Sequence, residues 1–204
     1  MESTLREGGR EPGLRLIETM HWNGFAVRHL ALHLARLRAG CAALGWGMPD
    51  VGVLNLHRGA PARLRLTCDQ VGAVVLEAAP LPVAAVAWRV GLAEARLYSG
   101  DAWLGVKSTR RGVYDAARAG LGAGLDEVVF ANERGEVCDG TITTVFFDRG
   151  LGMRTPPLAC GLLPGVLRAA MAVPEEVLMV GDLGGVRLWV GNAVRGLIEA
   201  RFVG

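Results

Sequence analysis

Of the 22 lysine and arginine residues in this 204-residue chain, one is lysine. Long apolar runs, a surplus of either charge and paired cysteine spacings are also lacking, and each absence removes a class of function. The 22 basic residues meet 20 acidic ones, which excludes the lopsided positive surface of a nucleic-acid binder. The longest apolar stretch, 71–88, is interrupted by Glu77, Pro80 and Pro82, so it falls short of the roughly 18 to 20 residues of a membrane span. Residues 1–10 are polar with no apolar segment behind them, so a secretory signal is not expected. Cys41, Cys68, Cys138 and Cys160 show no C-x-x-C spacing, which reads as reduced thiols of a cytoplasmic protein rather than a disulfide framework or zinc site. His29 and His33 stand four apart, but no further ligand accompanies them and no metal is expected. His21 and His57 carry no signal.

The scarcity of lysine is itself informative. Arginine replaces lysine freely as a solvated surface cation, but its guanidinium stays protonated and cannot act as a nucleophilic amine. Lys107 is therefore a candidate Schiff-base residue, the alternative being a surface lysine that compositional drift has spared.

The apolar periodicities outline an α+β chain. A strand is expected over 14–20, and a helix over 29–45 with leucine or cysteine at 30, 34, 37, 41 and 44 on one face. Residues 63–67 and 74–76 read as a hairpin about 69–72. A strand is expected over 83–90, and a polar linker over 94–101 divides the chain into a small N-terminal subdomain, 1–97, and a C-terminal one, 98–204. Lys107 then falls between a strand ending at 106 and a helix over 110–121. Strands follow at 126–131 and 137–148, a short helix opens at Pro164-Gly165, and two final strands flank Gly191-Asn192.

The order of motifs resembles one known family. L-I-E-T (16–19), H-L-A-R-L (33–37), V-K-S-T-R-R-G-V-Y (106–114), D-E-V-V-F-A-N-E-R-G-E-V-C-D-G-T-I-T-T-V-F-F (126–147), T-P-P-L-A-C-G-L-L-P-G (155–165) and V-G-N-A-V-R-G-L (190–197) are similar to segments of the class IV aminotransferases. These are the pyridoxal-phosphate (PLP) enzymes of fold type IV, which include branched-chain and D-amino-acid aminotransferases and 4-amino-4-deoxychorismate lyase. The resemblance implies two α/β subdomains with PLP between them, a homodimer and a small-molecule amino substrate, with neither nucleic acid nor membrane as partner.

It also implies roles for individual residues. Lys107 is the amine that condenses with the cofactor aldehyde. Asp139 pairs with the pyridine nitrogen where the family usually has glutamate; read alone, it could instead start the turn before Gly140. The backbone amides of Val166 and Leu167, at a helix start, hold the phosphate, assisted by Arg36, Asn192 and Ala193. Read without the family, Arg36 is a solvated helix residue. Arg111 and Tyr114 line the cofactor pocket, and Thr19 lies on the substrate side. Leucine at 167, alanine at 193 and threonine at 144 depart from the family's threonine, serine and asparagine. K-S-T-R-R-G-V-Y and C-G-L-L-P-G are closest to the lyase branch, which releases pyruvate and 4-aminobenzoate as part of folate biosynthesis. An amino-acid transaminase is the first alternative, and a non-catalytic PLP-binding protein, suggested by the four departures, the second. The segment that precedes the E-T motif in the family is missing.

Overall fold

A computed structural model describes residues 2–54, 56 and 58–204, so His57 lies outside the described residues. The chain forms two compact units: Met1–Val83 with Val106–Arg110, and Ala84–Gly105 with Arg111–Gly204.

The first unit contains α1 (Glu2–Gly8), β1 (Leu16–Trp22), α2 (Leu30–Leu44), β2 (Ala62–Cys68) and β3 (Val74–Ala79). The strands form an antiparallel sheet in the order β1-β2-β3. Asp69 shapes the β2–β3 hairpin by accepting the Val71 and Ala73 amides at 3.2 and 2.9 Å, and Gly72 supplies the positive φ of 82°. α2 ends because Gly45 turns left-handed at φ 72° and its amide closes on the last turn. Its buried stripe is His33, Leu37, Gly40, Cys41 and Leu44, so a histidine sits where the leucine pattern placed Leu30 and Leu34. Gly40 is needed at the contact with β1: a β-carbon there would stand 3.2 Å from the Leu16 methyls. The N-terminal residues, read from sequence only as a polar start, form α1, which buries Leu5. Trp46 Nε1 donates to the following Gly9 carbonyl at 3.0 Å.

The second unit is a closed six-stranded barrel. It is built from β4 (Ala87–Leu97), β5 (Glu127–Asn132), β6 (Val137–Gly140), β7 (Thr144–Asp148), β8 (Arg187–Asn192) and β9 (Gly196–Phe202). β4 runs parallel to both β5 and β9, and the remaining pairs are antiparallel. Closure leaves no unpaired edge. Val90, Val129, Val145, Phe147, Val190 and Ile198 fill one core cluster, and Phe130, Cys138 and Leu162 a second. Helices α3 (Gly112–Ala119) and α4 (Val166–Met171) belong to the same unit.

Three expectations are corrected. The polar stretch 94–101 is not a linker, because β4 continues to Leu97; Ala93 and Leu97 are buried while Glu94 and Arg96 are exposed, as a barrel strand with one wet face requires. The two units divide at Val83/Ala84, with Val106–Arg110 belonging to the first. The strand expected from 83 begins at Ala87, leaving Val83 and Val86 exposed. Lys107 follows a 3-10 turn at Ala102–Gly105, not a strand.

Candidate active site

Lys107 is placed by backbone pairing. The Ile17 amide donates to the Lys107 carbonyl at 2.8 Å and the Thr109 amide to the Arg15 carbonyl at 2.8 Å, which sets Ser108 opposite Leu16 in an antiparallel bridge. Residues opposite each other in such a pair point to the same face, and their neighbours point to the other. Buried Ser108 therefore shares the Leu16 face, which packs on α2, whereas Lys107 shares the face of Ile17 and Thr19. Both Lys107 and Thr19 are half-buried. The amine and the substrate-side threonine named from sequence are brought onto one face of the first unit.

Arg36 belongs to the opposite face. Its Nε and Nη2 donate to the two Glu18 oxygens at 2.8 and 2.6 Å, a bidentate fork, and His33 Nδ1 lies 2.6 Å from Glu18 Oε2. Burial alone would raise the Glu18 carboxyl, yet the Arg36 and His33 hydrogen bonds and charges hold it below the usual glutamate value. The guanidinium fork expected on a phosphate thus closes on a carboxylate of its own unit. Within this cluster His33 Nε2 is buried without a hydrogen-bond partner among the described residues.

In the second unit Asp139 is a buried residue of β6. Its Oδ1 accepts the Tyr114 hydroxyl at 3.5 Å and its Oδ2 the Leu163 amide at 3.2 Å. Burial first, and the Asp139 charge second, push the Tyr114 phenol above its ordinary value, so Tyr114 remains a donor. The hairpin from β6 to β7 turns immediately beyond, over Thr141 and Ile142, with the Gly140 amide on the Thr143 carbonyl at 2.7 Å. Three side chains hold this turn. Glu127, fully buried, accepts from the Thr141 amide (3.1 Å), the Thr141 hydroxyl (2.5 Å), the Ile142 amide (3.3 Å) and the Thr143 hydroxyl (3.0 Å). Arg111 Nη2 donates to the Thr141 carbonyl at 2.9 Å, and Asn192 Nδ2 to the Ile142 carbonyl at 3.1 Å. A β-carbon at Gly140 would overlap Thr143 Oγ1 and stand 2.9 Å from Glu127 Oε2, so the carboxylate reaches the turn only past a glycine.

Arg111 and Asn192, both named as cofactor residues, therefore make backbone contacts to one turn. The Asn192 Oδ1 also accepts the Val194 and Arg195 amides, and Ala193 is buried in the same β8–β9 turn. α4 begins at Val166 and Leu167, both buried, with no side-chain cap at Gly165. A β-carbon at Gly165 would overlap Thr144 Oγ1, and Thr144 faces Asp139 across the β6–β7 pair. Leu167 packs against Gly191, where a β-carbon would stand 2.7 Å from its methyl, so leucine in place of threonine serves packing here. Sequence reading missed Glu127 as a site residue. A glutamate ahead of an apolar strand gives no sign of burial, although a run of three threonines in four residues after Asp139-Gly140 needs an acceptor if buried.

Comparison with known proteins agrees with this arrangement. The profile of the amino-transferase class IV family matches residues 15–201. A candidate amino-acid aminotransferase from Mesorhizobium loti superposes with a TM-score of 0.86 at 40% identity, covering 93% of this chain and all of that one. The 4-amino-4-deoxychorismate lyase from Pseudomonas aeruginosa superposes at 0.77 with 22% identity over 92% of this chain and 82% of its own. A hypothetical aminotransferase from Mycobacterium tuberculosis in its PLP-bound form gives 0.75 with 20% identity over 93% and 81%. No protein of curated function matches. A six-stranded barrel and a separate sheet are the elements of fold type IV, and the family is PLP-dependent. With a profile spanning nearly the whole sequence and a 40% identical structure of the same fold, the chain belongs to the class IV aminotransferases.

Proposed function

We propose that this enzyme is a 4-amino-4-deoxychorismate lyase, releasing pyruvate and 4-aminobenzoate. One observation supports this choice within the family. The two strings closest to the lyase branch, K-S-T-R-R-G-V-Y and C-G-L-L-P-G, both supply a donor to the same carboxylate: Tyr114 and Leu163 meet on Asp139.

The residues present fit PLP. Each taken within its own unit, Lys107 offers an amine, Asp139 a buried carboxylate for a pyridinium nitrogen, and α4 a start without a side-chain cap at Gly165, where a β-carbon would overlap Thr144 Oγ1. Val166 and Leu167 would hold the phosphate through their amides, which lack intrahelical acceptors, and Asp139, one methylene shorter than glutamate, would hold the ring. In the first unit, Nε and Nη2 of Arg36 are committed to Glu18. PLP when bound supplies an electron sink that acidifies the carbon bearing the substrate amine. Lys107 Nζ accepts the proton from that carbon. The bond between the ring and the enolpyruvyl oxygen then breaks, and its electron pair leaves with the enolpyruvate, which takes a proton at carbon to become pyruvate. The six-membered ring is left aromatic as 4-aminobenzoate.

A second reading, an amino-acid transaminase, is supported by the name of the 40% identical structure. Pyruvate release from aminodeoxychorismate, compared with keto-acid formation from a panel of amino acids, tests the choice. Pyruvate with 4-aminobenzoate supports the lyase, and keto acids without pyruvate support the transaminase. Borohydride reduction should fix the cofactor on Lys107, and an adduct without either turnover points to a PLP-binding protein. The family resemblance further implies a homodimer, which light scattering checks.

A further inference from the structure

Thr141, Thr143, Thr144 and Thr155 are all buried in the second unit. Three of them have committed hydroxyls: those of Thr141 and Thr143 meet Glu127, and that of Thr155 donates to the Val145 carbonyl at 2.9 Å. Thr144 is 6% exposed, and its hydroxyl has no hydrogen-bond partner among the described residues. A buried hydroxyl in that condition points to a partner outside the chain, because valine would fill the same space without a polar atom to desolvate.

The surroundings of Thr144 indicate what that partner is. Val145 belongs to the barrel core, so strand alternation turns Thr144 to the other face of β7. Its cross-strand partners are Asp139 of β6 and Gly191 of β8, whose substituents share that face. Over Gly191 the face is filled by a Leu167 methyl, 2.7 Å from where a β-carbon would stand, and a β-carbon at Gly165 would overlap Thr144 Oγ1. The hydroxyl therefore stands against Gly165, next in the chain to Val166 and Leu167, and one strand away from the Asp139 carboxylate.

We propose that Thr144 is a cofactor-binding residue whose hydroxyl donates to a phosphate oxygen of PLP. A threonine hydroxyl has one proton to donate. A phosphate dianion offers acceptors only, whereas the pyridine ring presents carbon along the edge between its nitrogen and its phosphate arm. Asp139 is the residue read above for the nitrogen, and the Val166 and Leu167 amides are those read for the phosphate; Thr144 lies on the same face beside both. The assignment concerns the cofactor and not the reaction, so it applies to a lyase and to a transaminase alike.

Thr144→Val removes the hydroxyl and keeps the branched shape, and absorbance titration of the apoprotein with PLP and with pyridoxal, which lacks the phosphate, gives the two affinities. The expected result is a PLP affinity about ten- to hundredfold weaker, an unchanged pyridoxal affinity and an apoprotein urea midpoint no lower than that of the parent. Thr144→Ser, which retains the hydroxyl, should keep most of the PLP affinity. Equal PLP affinity in the parent and Thr144→Val overturns the assignment. So does an equal loss for pyridoxal, or a loss of the same size in Thr144→Ser. If the affinities are equal and the parent releases pyruvate from aminodeoxychorismate, the assignment falls and the lyase reading stands. If PLP alone is weakened and the parent releases no pyruvate, the lyase reading falls and the assignment stands.

Discussion

The two units carry their chemistry in opposite ways. In the first, the lysine face is assembled from strand alternation: Lys107 and Thr19 share a side because of backbone register. In the second, the chemical groups are fixed by a dense polar network, in which Glu127, Arg111 and Asn192 hold one two-residue turn beside Asp139. The sheet thus sets its groups by register, whereas the barrel fixes its carboxylate within a hydrogen-bonded network. Substitutions on the lysine face should therefore cost chemistry and little stability, and substitutions under the barrel turn should cost stability first.

The largest effect expected is that of Lys107→Ala. It should abolish borohydride trapping at this position and lower turnover by about 10⁴-fold or more, while the urea midpoint stays close to that of the parent. A parallel fall in stability would break the comparison. Next is Glu127→Leu, which removes the acceptor of two hydroxyls and two amides in the turn and leaves Arg118, 3.5 Å away, without this carboxylate. Equilibrium denaturation should show a loss of about 3–5 kcal/mol.

A smaller effect tests the polar cluster of the first unit. The folded Glu18 carboxyl titrates below its ordinary value of 4.5. Its contribution to stability is therefore fully present above about that value, and is lost as pH falls through the lowered folded value. Urea midpoints measured against pH should decline on the acid side, and Glu18→Gln should flatten that limb while lowering the neutral plateau. The smallest effect is an absence of reaction. Burial pushes the Cys160 thiol up to about 12 and the Cys138 thiol further still, so thiol reagents at pH 8 should label neither until the barrel unfolds. Rapid labelling of either in the native protein would show that the barrel opens more readily than its network implies.

Much of the fold was legible in advance. β1, α2, the β2–β3 hairpin, β5, α4 and the last two strands follow hydrophobic period and turn chemistry closely, because each buries one regular face. β4 was misread because its exposed positions, Glu94 and Arg96, together with Tyr98 to Asp101 beyond it, give a stretch as polar as a loop; only barrel closure shows that Ala93 and Leu97 need cover. α1 escaped notice because a seven-residue helix with one buried leucine has no measurable period.

The site divides along the same line. Composition alone singled out Lys107, since one amine among 21 guanidiniums is a chemical distinction that no folding can create. Motif order likewise led to Asp139, Tyr114 and the start of α4. The partners of these residues were settled by tertiary structure. Arg36 grips Glu18 from 18 residues away, Glu127 crosses 14 residues to reach Thr141, and Asn192 crosses 50 to the Ile142 carbonyl. A hydrogen bond requires its two atoms to lie within about 3 Å in a narrow range of directions. Residue type decides which atoms can take part in such a bond, and only the packed chain brings a particular donor to a particular acceptor.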